Sequence, residues 1–170
     1  MDFSDQEHYA IDLLCQADGQ PTELARQVAQ RYREIMVDEY QDTNEVQTRI
    51  FAAISRKGEN LFTVGDVKQS IYRFRLAQPE IFLEKYRLYR HAAAAASGQA
   101  RKILLTRNFR SRPEVLEATN FVFRNILSRQ MGEMDYGVEE QLYAGAAFAP
   151  APDRETELHL VSVENTDAED

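Results

Sequence analysis

The sequence predicts an α/β fold built around a parallel sheet. Short apolar runs at 35–37, 61–64 and 103–106 have the length and composition of strands. The stretches between them have the apolar spacing of helices, and each of the first two runs ends at an acidic residue. Strands that alternate with helices form parallel sheets, because a parallel neighbour is reached by a crossover connection, usually a helix.

Charge is distributed unevenly along the 170 residues, of which 44% are hydrophobic. A chain of this length and composition can bury a core. The net charge of -8 argues against a protein that coats nucleic acid with its whole surface. However, residues 101–130 carry seven Lys or Arg and two Asp or Glu, whereas residues 131–170 carry one and eleven. The middle of the chain can therefore still offer a basic strip to phosphates.

Cys15 is the only cysteine, so an internal disulfide is excluded and a reducing compartment is favoured. We interpret it as a small core residue. No apolar run approaches the ~18 residues that a membrane span needs, and the chain opens with no signal-peptide pattern. We expect a cytoplasmic protein with no membrane contact.

The first half of the chain has recognisable helix starts. Residues 4–7 (Ser-Asp-Gln-Glu) form a capping-box pattern for a first helix, and Thr22 precedes a second helix that runs into the first strand. After that strand, Asp42 or Thr43 is expected to cap a third helix, which ends near Gly58.

The second half is predicted in the same way. Pro79 begins a helix that is followed by the alanine run 92–96, which we interpret as the end of that helix or as a surface insert. The run 103–106 is the third strand, and a capping-box pattern at 111–114 opens the clearest amphipathic helix of the chain. Residues 158–163 alternate as a strand does, although the sequence offers no evident partner for it.

Asp38 and Glu39 follow the first strand directly. In open parallel sheets the ligand crevice lies beyond the carboxyl ends of the strands, so both carboxylates are placed where a ligand can bind. One could hold Mg²⁺, and the other could orient or deprotonate an attacking water. The alternative is a solvated turn or a helix N-terminus, and on its own such a pair is more often structural.

Cations and aromatic side chains alternate after the second strand, in the order Lys68, Tyr72, Arg73, Phe74 and Arg75. Aromatic faces stack on unpaired bases and arginines bind phosphates, so this mixture suits single-stranded nucleic acid. An equally weighted alternative is that the apolar and aromatic side chains belong to the core. Further arginines at 107–112 precede the amphipathic helix, where exposed amides favour an anion.

Three segments resemble, in order and spacing, three consecutive motifs of the UvrD/Rep-like superfamily-one DNA helicases. They are Val37–Asn44 (VDEYQDTN), Gly65–Arg75 (GDVKQSIYRFR) and Asn108–Ser111 (NFRS). The opening residues 2–5, together with Leu76 where most members have Gly, look most like the branch of bacterial AddAB/RexAB A subunits. The motif-bearing resemblance covers about residues 34–128.

The resemblance implies a fold and a function. The fold would be part of a RecA-like parallel-sheet P-loop NTPase motor, with residues 1–100 as the C-terminal part of a first RecA-like domain. Residues 101–170 would be a hinge and the beginning of a second. The function implied is ATP-dependent helicase and exonuclease activity on single-stranded DNA and duplex ends, in double-strand-break repair and recombination. Its cofactors would be ATP and Mg²⁺, and its partner a second subunit of the AddB/RexB type.

Five residues match positions of the family's nucleotide site. Asp38 matches the Mg²⁺ ligand, and Glu39 matches the residue that activates the attacking water. Gln69 matches a glutamine that couples the γ-phosphate to the DNA site. Phe109 matches an aromatic that stacks on adenine, although many relatives have Tyr there, and Arg110 matches an arginine that reaches the γ-phosphate. An arginine in that role is worth roughly 10³-fold or more.

Tyr72, Phe74 and Arg75 fall on positions that contact single-stranded DNA in this family. A phosphate-cradling loop, G-x-x-x-x-G-K-[ST], is absent, because no glycine is followed by Lys. We therefore expect an internal piece of a larger motor protein, which by itself would lack ATPase activity. The alternative is a non-catalytic remnant or regulatory domain that binds single-stranded nucleic acid or a protein partner.

Overall fold

The computed structural model describes residues 2–70, 76–132, 134–150, 152 and 155–162. The chain forms two compact units, Met1–Ile103 and Leu104–Asp170. In the described residues, both units combine helices with short parallel strand pairs, which confirms the predicted α/β class. No helix in this part of the chain has the length and apolar character needed to cross a membrane.

The first unit begins with two helices before its first strand. Its described elements are α1 (Phe3–Leu14), α2 (Glu23–Arg31), β1 (Ile35–Val37), α3 (Glu45–Ala53), β2 (Leu61–Thr63), α4 (Pro79–Leu88), β3 (Arg90–His91) and β4 (Arg101–Lys102). The second unit contains β5 (Arg107–Asn108), α5 (Pro113–Ile126), α6 (Arg129–Gly132) and β6 (Tyr143–Ala144). Two single turns of 3₁₀ helix, Tyr40–Asp42 and Val67–Gln69, follow β1 and β2.

The predicted parallel pairing of the first two strands is confirmed. β1 and β2 run parallel with Ile35 opposite Leu61 and Val37 opposite Thr63. The ladder continues beyond the strands, since the Val64 N–H donates to the Val37 carbonyl at 2.9 Å. Helix α3 lies between the two strands in sequence, as a parallel connection requires.

Three helix starts differ from the expected ones. Helix α1 is capped by Asp2, which forms a reciprocal capping box with Asp5, so the box predicted at 4–7 is wrong by two residues. Helix α3 is capped by Asn44 rather than by Asp42 or Thr43. Asp42 is already part of the 3₁₀ turn, and the Thr43 hydroxyl donates to the Tyr40 carbonyl at 2.8 Å. The cap is therefore Asn44, whose Oδ1 accepts from the N–H of Gln47 at 2.8 Å. Thr22 caps α2 as predicted.

Helix α5 has no capping box, which corrects the third start. Its N-cap is Arg112, which makes no side-chain cap hydrogen bond. The side chain of Asn108 satisfies the preceding amides instead, since its Oδ1 accepts from the N–H groups of Arg110 at 2.9 Å and Ser111 at 2.8 Å. Pro113 is the first residue of the helix, where its missing N–H costs nothing.

Two predicted strands are absent from the described residues. The run 103–106 lies between two short strands, and its Leu105 is 80% exposed. The residues on either side of this run pair instead: β4, before it, runs parallel to β3, and β5, after it, runs parallel to β6. Residues 158–162 also form no strand, and Leu160 is 88% exposed. Both segments have the apolar character of a strand, but in the described residues neither forms a strand ladder of its own; of the run 103–106, Thr106 accepts a backbone hydrogen bond from Tyr143 at the start of β6.

The core of the first unit lies beside the turn that follows β1. Tyr40 is fully buried there, and its ring meets the ring of Phe82 on α4 edge-on, with centroids 5.9 Å apart. Leu83 of the same helix and Ala53 of α3 are also buried. Cys15, expected in the core, is only half-buried at the end of α1. The turn that carries the acidic pair is thus packed against the best-buried part of the unit.

Candidate nucleotide site at the β1–β2 edge

The carboxyl ends of β1 and β2 meet at one edge of the first unit. Asp38 and Glu39 follow β1, and Gly65 and Asp66 follow β2 one residue later in register. The N–H of Tyr40 donates to the carbonyl of Val64 at 2.8 Å, which joins the two post-strand segments. Parallel pairing therefore places the acidic pair beside the loop that leads to Gln69.

The two adjacent acids differ in backbone conformation, since Glu39 has a positive φ and Asp38 does not. Asp38 is exposed, and its Oδ1 accepts from the N–H of Glu39 at 2.9 Å. Glu39 has φ 48° and ψ 42°, the left-handed region that costs a non-glycine residue about 1–2 kcal/mol. Such a conformation persists where the surrounding structure enforces it, and strained residues concentrate at functional sites.

Gln41 connects Glu39 to the loop after β2. Its Nε2 donates to Glu39 Oε2 at 2.7 Å, and its Oε1 accepts from the N–H of Asp66 at 2.9 Å. The side chain is 1% exposed. Gly65 makes room for it, since a Cβ on Gly65 would lie 2.6 Å from Gln41 Oε1.

Asp66 extends this connection to Gln69. Its Oδ2 accepts from Gln69 Nε2 at 3.0 Å, and its Oδ1 forms an ion pair with Lys68 Nζ at 2.8 Å. Gln69 itself is exposed at the end of its 3₁₀ turn. The structure thus brings three residues singled out by the sequence, Asp38, Glu39 and Gln69, to one edge and links the last two through Gln41 and Asp66.

Asp42 adds a second carboxyl group next to Glu39. Burial, reinforced by the negative charge of Glu39, raises the pKa of Asp42 above the ordinary value of 3.8. Its Oδ1 is buried and has no hydrogen-bond partner among the described residues. The strand end thus carries three carboxyl groups within five residues, those of Asp38, Glu39 and Asp42.

Phe109 and Arg110 lie in the second unit, directly after β5. Phe109 is 68% exposed, and its ring packs against the backbone of Gly145, just beyond β6. Arg110 is exposed as well, with its backbone N–H bound to Asn108. The unit therefore presents an aromatic ring and an adjacent guanidinium, a combination that can bind a base and a phosphate.

Three residues of these sites were missed by sequence reasoning: Gln41, Gly65 and Gly145. Gln41 lies within the motif Val37–Asn44, yet only the structure shows that its side chain is buried between Glu39 and the N–H of Asp66. Tyr72, Phe74 and Arg75, the predicted DNA-contacting residues, lie outside the described residues, so their role stays a prediction.

Whether this edge can bind Mg²⁺ depends on which side chains could act as ligands and on whether they are exposed to solvent. In the described ranges no group of three or more His, Cys, Asp or Glu side chains could hold a metal ion. Mg²⁺ needs no such group, because it is usually bound by one or two carboxylates together with waters and phosphate oxygens. An exposed Asp38 at a strand end fits that ligand set.

Known proteins share the sequence pattern of this chain over most of its length. A family model described as UvrD/REP helicase N-terminal domain matches residues 1–90. The A subunit of the ATP-dependent helicase/nuclease of Pelotomaculum thermopropionicum is 46% identical over 173 aligned positions, which cover 95% of this chain. The proteins of the same name from Staphylococcus aureus strains JH9 and NCTC 8325 are each 48% identical over 151 positions, or 87% of the chain. The chain spans 14% of the first relative and 12% of the other two. These matches confirm the resemblance read from the motifs: the chain belongs to the UvrD/REP helicase family.

Proposed function

We propose that this chain is a motor segment of an ATP-dependent DNA helicase and exonuclease that unwinds and processes DNA ends in double-strand-break repair and recombination. Relatives named as the A subunit of an ATP-dependent helicase/nuclease, at 46% and 48% identity, support this proposal. In it, residues 1–100 belong to a first RecA-like domain and residues 101–170 to a hinge and the beginning of a second. The phosphate cradle and the nuclease carboxylates lie in other parts of the full-length protein.

One observation carries the proposal: the hydrogen-bonded network at the β1–β2 edge. It joins the carboxylate of Glu39 to Gln69 through two intermediate residues, the side chain of Gln41 and the backbone N–H and carboxylate of Asp66, at distances of 2.7, 2.9 and 3.0 Å. A surface turn has no need of a base held by a buried amide. Phosphoryl transfer does, because it is catalysed mainly by positioning and by compensation of charge.

Each residue at this edge has a role in the proposed reaction. Asp38 binds Mg²⁺, which, when bound, neutralises charge on the β- and γ-phosphates of ATP. Glu39 accepts a hydrogen bond from the attacking water and takes its proton. Gln69 donates its amide towards the γ-phosphate and changes its contacts when that phosphate leaves, which couples hydrolysis to the DNA site.

The second unit has nucleotide-binding residues of its own in this proposal. Phe109 presents an exposed face on which adenine stacks, supported from behind by Gly145. Arg110 compensates the negative charge of the γ-phosphate in the transition state. Tyr72, Phe74 and Arg75 contact single-stranded DNA by stacking and by phosphate binding. A second subunit of the AddB/RexB type is the expected protein partner, and duplex ends are the expected entry point.

The experiment uses the full-length protein that carries this chain and compares Glu39→Gln with Asp38→Asn. Glu39→Gln keeps the size of the side chain and removes the base, so hydrolysis in a single turnover should fall by roughly 10²–10⁴-fold while ATP·Mg²⁺ affinity stays near normal. Asp38→Asn should instead raise the Mg²⁺ concentration needed for half-maximal hydrolysis, since an amide is a poorer ligand for a hard cation. Unwinding should stop in Glu39→Gln, whereas in Asp38→Asn it should need the same raised Mg²⁺ concentration as hydrolysis.

Hydrolysis by folded Glu39→Gln at the parent rate would overturn the proposed role of the edge. The chain would then be a non-catalytic module that binds single-stranded nucleic acid or a protein. Circular dichroism and the unfolding midpoint of each variant establish that a loss of activity is not a loss of fold.

A further inference from the structure

We infer that Gln41 is a positioning residue. It orients the carboxylate of Glu39 towards the attacking water and links that carboxylate by hydrogen bonds to the segment after β2. The inference rests on the proposed function, because it concerns how Glu39 is aimed during ATP hydrolysis. It assigns a role to a buried residue that acts through another side chain.

The two ends of the Gln41 side chain have opposite partners. Its Nε2 faces the carboxylate of Glu39, which can only accept, and its Oε1 faces the backbone N–H of Asp66, which can only donate. This pair of partners determines which amide atom is nitrogen and which is oxygen. Glutamate at this position could satisfy Asp66 but would repel Glu39, and an apolar side chain would satisfy neither.

Burial makes these two hydrogen bonds more effective. Gln41 is 1% exposed, so water does not compete for its amide. An amide with an unmet donor or acceptor in such a place is costly, because water cannot replace the lost partner, and this disfavours any other rotamer. Glu39, by contrast, is exposed, and its carboxylate would sample several rotamers without this contact.

Gly65 is the structural counterpart of Gln41. A Cβ on Gly65 would lie 2.6 Å from Gln41 Oε1 and 3.2 Å from the backbone nitrogens of Tyr40 and Gln41. The backbone of Gly65 has no positive φ, so left-handed geometry does not explain the glycine. What requires glycine here is the close approach of the buried amide, and alanine would push that amide off its partners.

The connection continues from Asp66 to Gln69. The same loop whose N–H binds Gln41 has its Asp66 side chain bound to Gln69 Nε2 at 3.0 Å. A displacement of Gln69 on loss of the γ-phosphate would therefore reach Glu39 through two hydrogen-bonded residues. Gln41 sets the alignment of the base and the phosphate-sensing glutamine together.

The test measures steady-state ATP hydrolysis by the full-length protein with Gln41→Met and Gly65→Ala. Gln41→Met conserves side-chain length and removes both hydrogen bonds, whereas Gly65→Ala leaves Gln41 in the sequence and displaces it. Both should lower kcat about 10- to 100-fold, as expected for a misaligned group, with the KM for ATP changed less than threefold. The double variant should lose little more than the worse single one, because both changes disrupt the same pair of hydrogen bonds made by Gln41.

Asn60 provides a matched control at the other end of β2. It is 7% exposed, its Oδ1 accepts from the N–H of Arg56 at 2.8 Å, and its Nδ2 donates to the carbonyl of Tyr32 at 3.2 Å. Asn60→Leu therefore removes two buried amide hydrogen bonds from the same unit without touching the edge. It should lower the unfolding midpoint as Gln41→Met does and leave kcat within about twofold.

An equal loss of kcat in Asn60→Leu would attribute the effect to general destabilisation and overturn the inference. So would a Gln41→Met enzyme in which KM rises and kcat is unchanged. The Glu39→Gln variant distinguishes a failure of this inference from a failure of the proposed function. If that variant is inactive while Gln41→Met and Gly65→Ala turn over at the parent rate, only the positioning role fails.

Discussion

The ring of Phe109 lies against the backbone of Gly145: a Cβ on Gly145 would be 2.7 Å from Phe109 Cε1 and 2.8 Å from its Cζ. Both residues adjoin the parallel pair β5–β6, which brings together positions 36 residues apart in sequence. The glycine thus supports an exposed aromatic ring from behind and leaves its other face to solvent.

We predict that Gly145→Ala weakens ATP binding by the full-length protein. The added methyl group displaces the ring of Phe109 from the position in which adenine would stack, and base–aromatic stacking is worth about 1–3 kcal/mol. We expect a loss of about 5- to 100-fold in ATP affinity, measured by equilibrium binding. Gly137→Ala is the control, because its new Cβ would meet only the movable carboxylate end of Glu140, at 3.0 Å. Equal affinities for the two variants would contradict a stacking role for Phe109.

Tyr40→Phe should leave the stability of the 170-residue chain unchanged or raise it. The hydroxyl of Tyr40 is buried and has no hydrogen-bond partner in the described part of the chain, so its removal gives back a desolvation cost. The ring keeps its edge contact with Phe82 and its place 4.8 Å from Lys85 Nζ. We expect a gain of up to about 1 kcal/mol in the free energy of unfolding in urea.

Tyr40→Ala completes that comparison. It removes the largest fully buried side chain and should cost about 3–5 kcal/mol, as aromatic truncations in cores do. A stability loss of more than about 1 kcal/mol in Tyr40→Phe would indicate that the hydroxyl has a hydrogen-bond partner after all.

Asp42→Asn should stabilise the chain at neutral pH. Burial, with a contribution from Glu39, raises the pKa of Asp42 above 3.8, so the folded state binds a proton more readily than the unfolded state. For such a group, the free energy of unfolding falls as pH rises from 3.8 through the raised folded value, and the penalty then persists at higher pH. The amide variant carries no such penalty.

The measurement is urea unfolding of the parent chain and Asp42→Asn between pH 3 and pH 8. The variant should be the more stable at pH 7, and the difference should disappear below pH 3.8. Asp12→Asn removes the same charge from an exposed position on α1 and serves as the control. An Asp42→Asn chain that is less stable than the parent at pH 7, with the deficit disappearing as pH falls, would show instead that the fold stabilises the carboxylate.

Phe74→Ala with Arg75→Ala should weaken binding of single-stranded DNA by the full-length protein and lower its DNA-stimulated ATP hydrolysis. Loss of one stacked base costs about 1–3 kcal/mol, and loss of one phosphate contact reduces the slope of log affinity against log salt by about 0.7. Fluorescence anisotropy with an oligonucleotide at several salt concentrations measures both effects. Unchanged affinity and unchanged stimulation would instead assign both side chains to the core.

Local sequence predicted the elements whose signal is local. Thr22 and Pro79 begin helices as expected, since a cap and a proline act within one turn of chain. The runs at 35–37 and 61–64 contain the strands β1 and β2, because each run is a strong apolar segment and a helix lies between them, for which parallel pairing is the economical solution. Their acidic ends are read directly from the sequence, and the family motif around Glu39 was recognised from its resemblance to known helicases.

The tertiary structure decided what depends on partners distant in sequence. The run 103–106 has the apolar pattern of a strand, yet in the described residues its flanks pair instead, because backbone hydrogen bonds require a neighbour that composition does not reveal. Gln41 looks like any polar residue of a turn until β2 places the N–H of Asp66 against it. Gly65 and Gly145 look like ordinary loop glycines until a buried amide and an aromatic ring approach them. By itself the sequence determined which chemical groups stand at the ends of the strands; the packing of residues far apart in the chain decided how those groups are oriented.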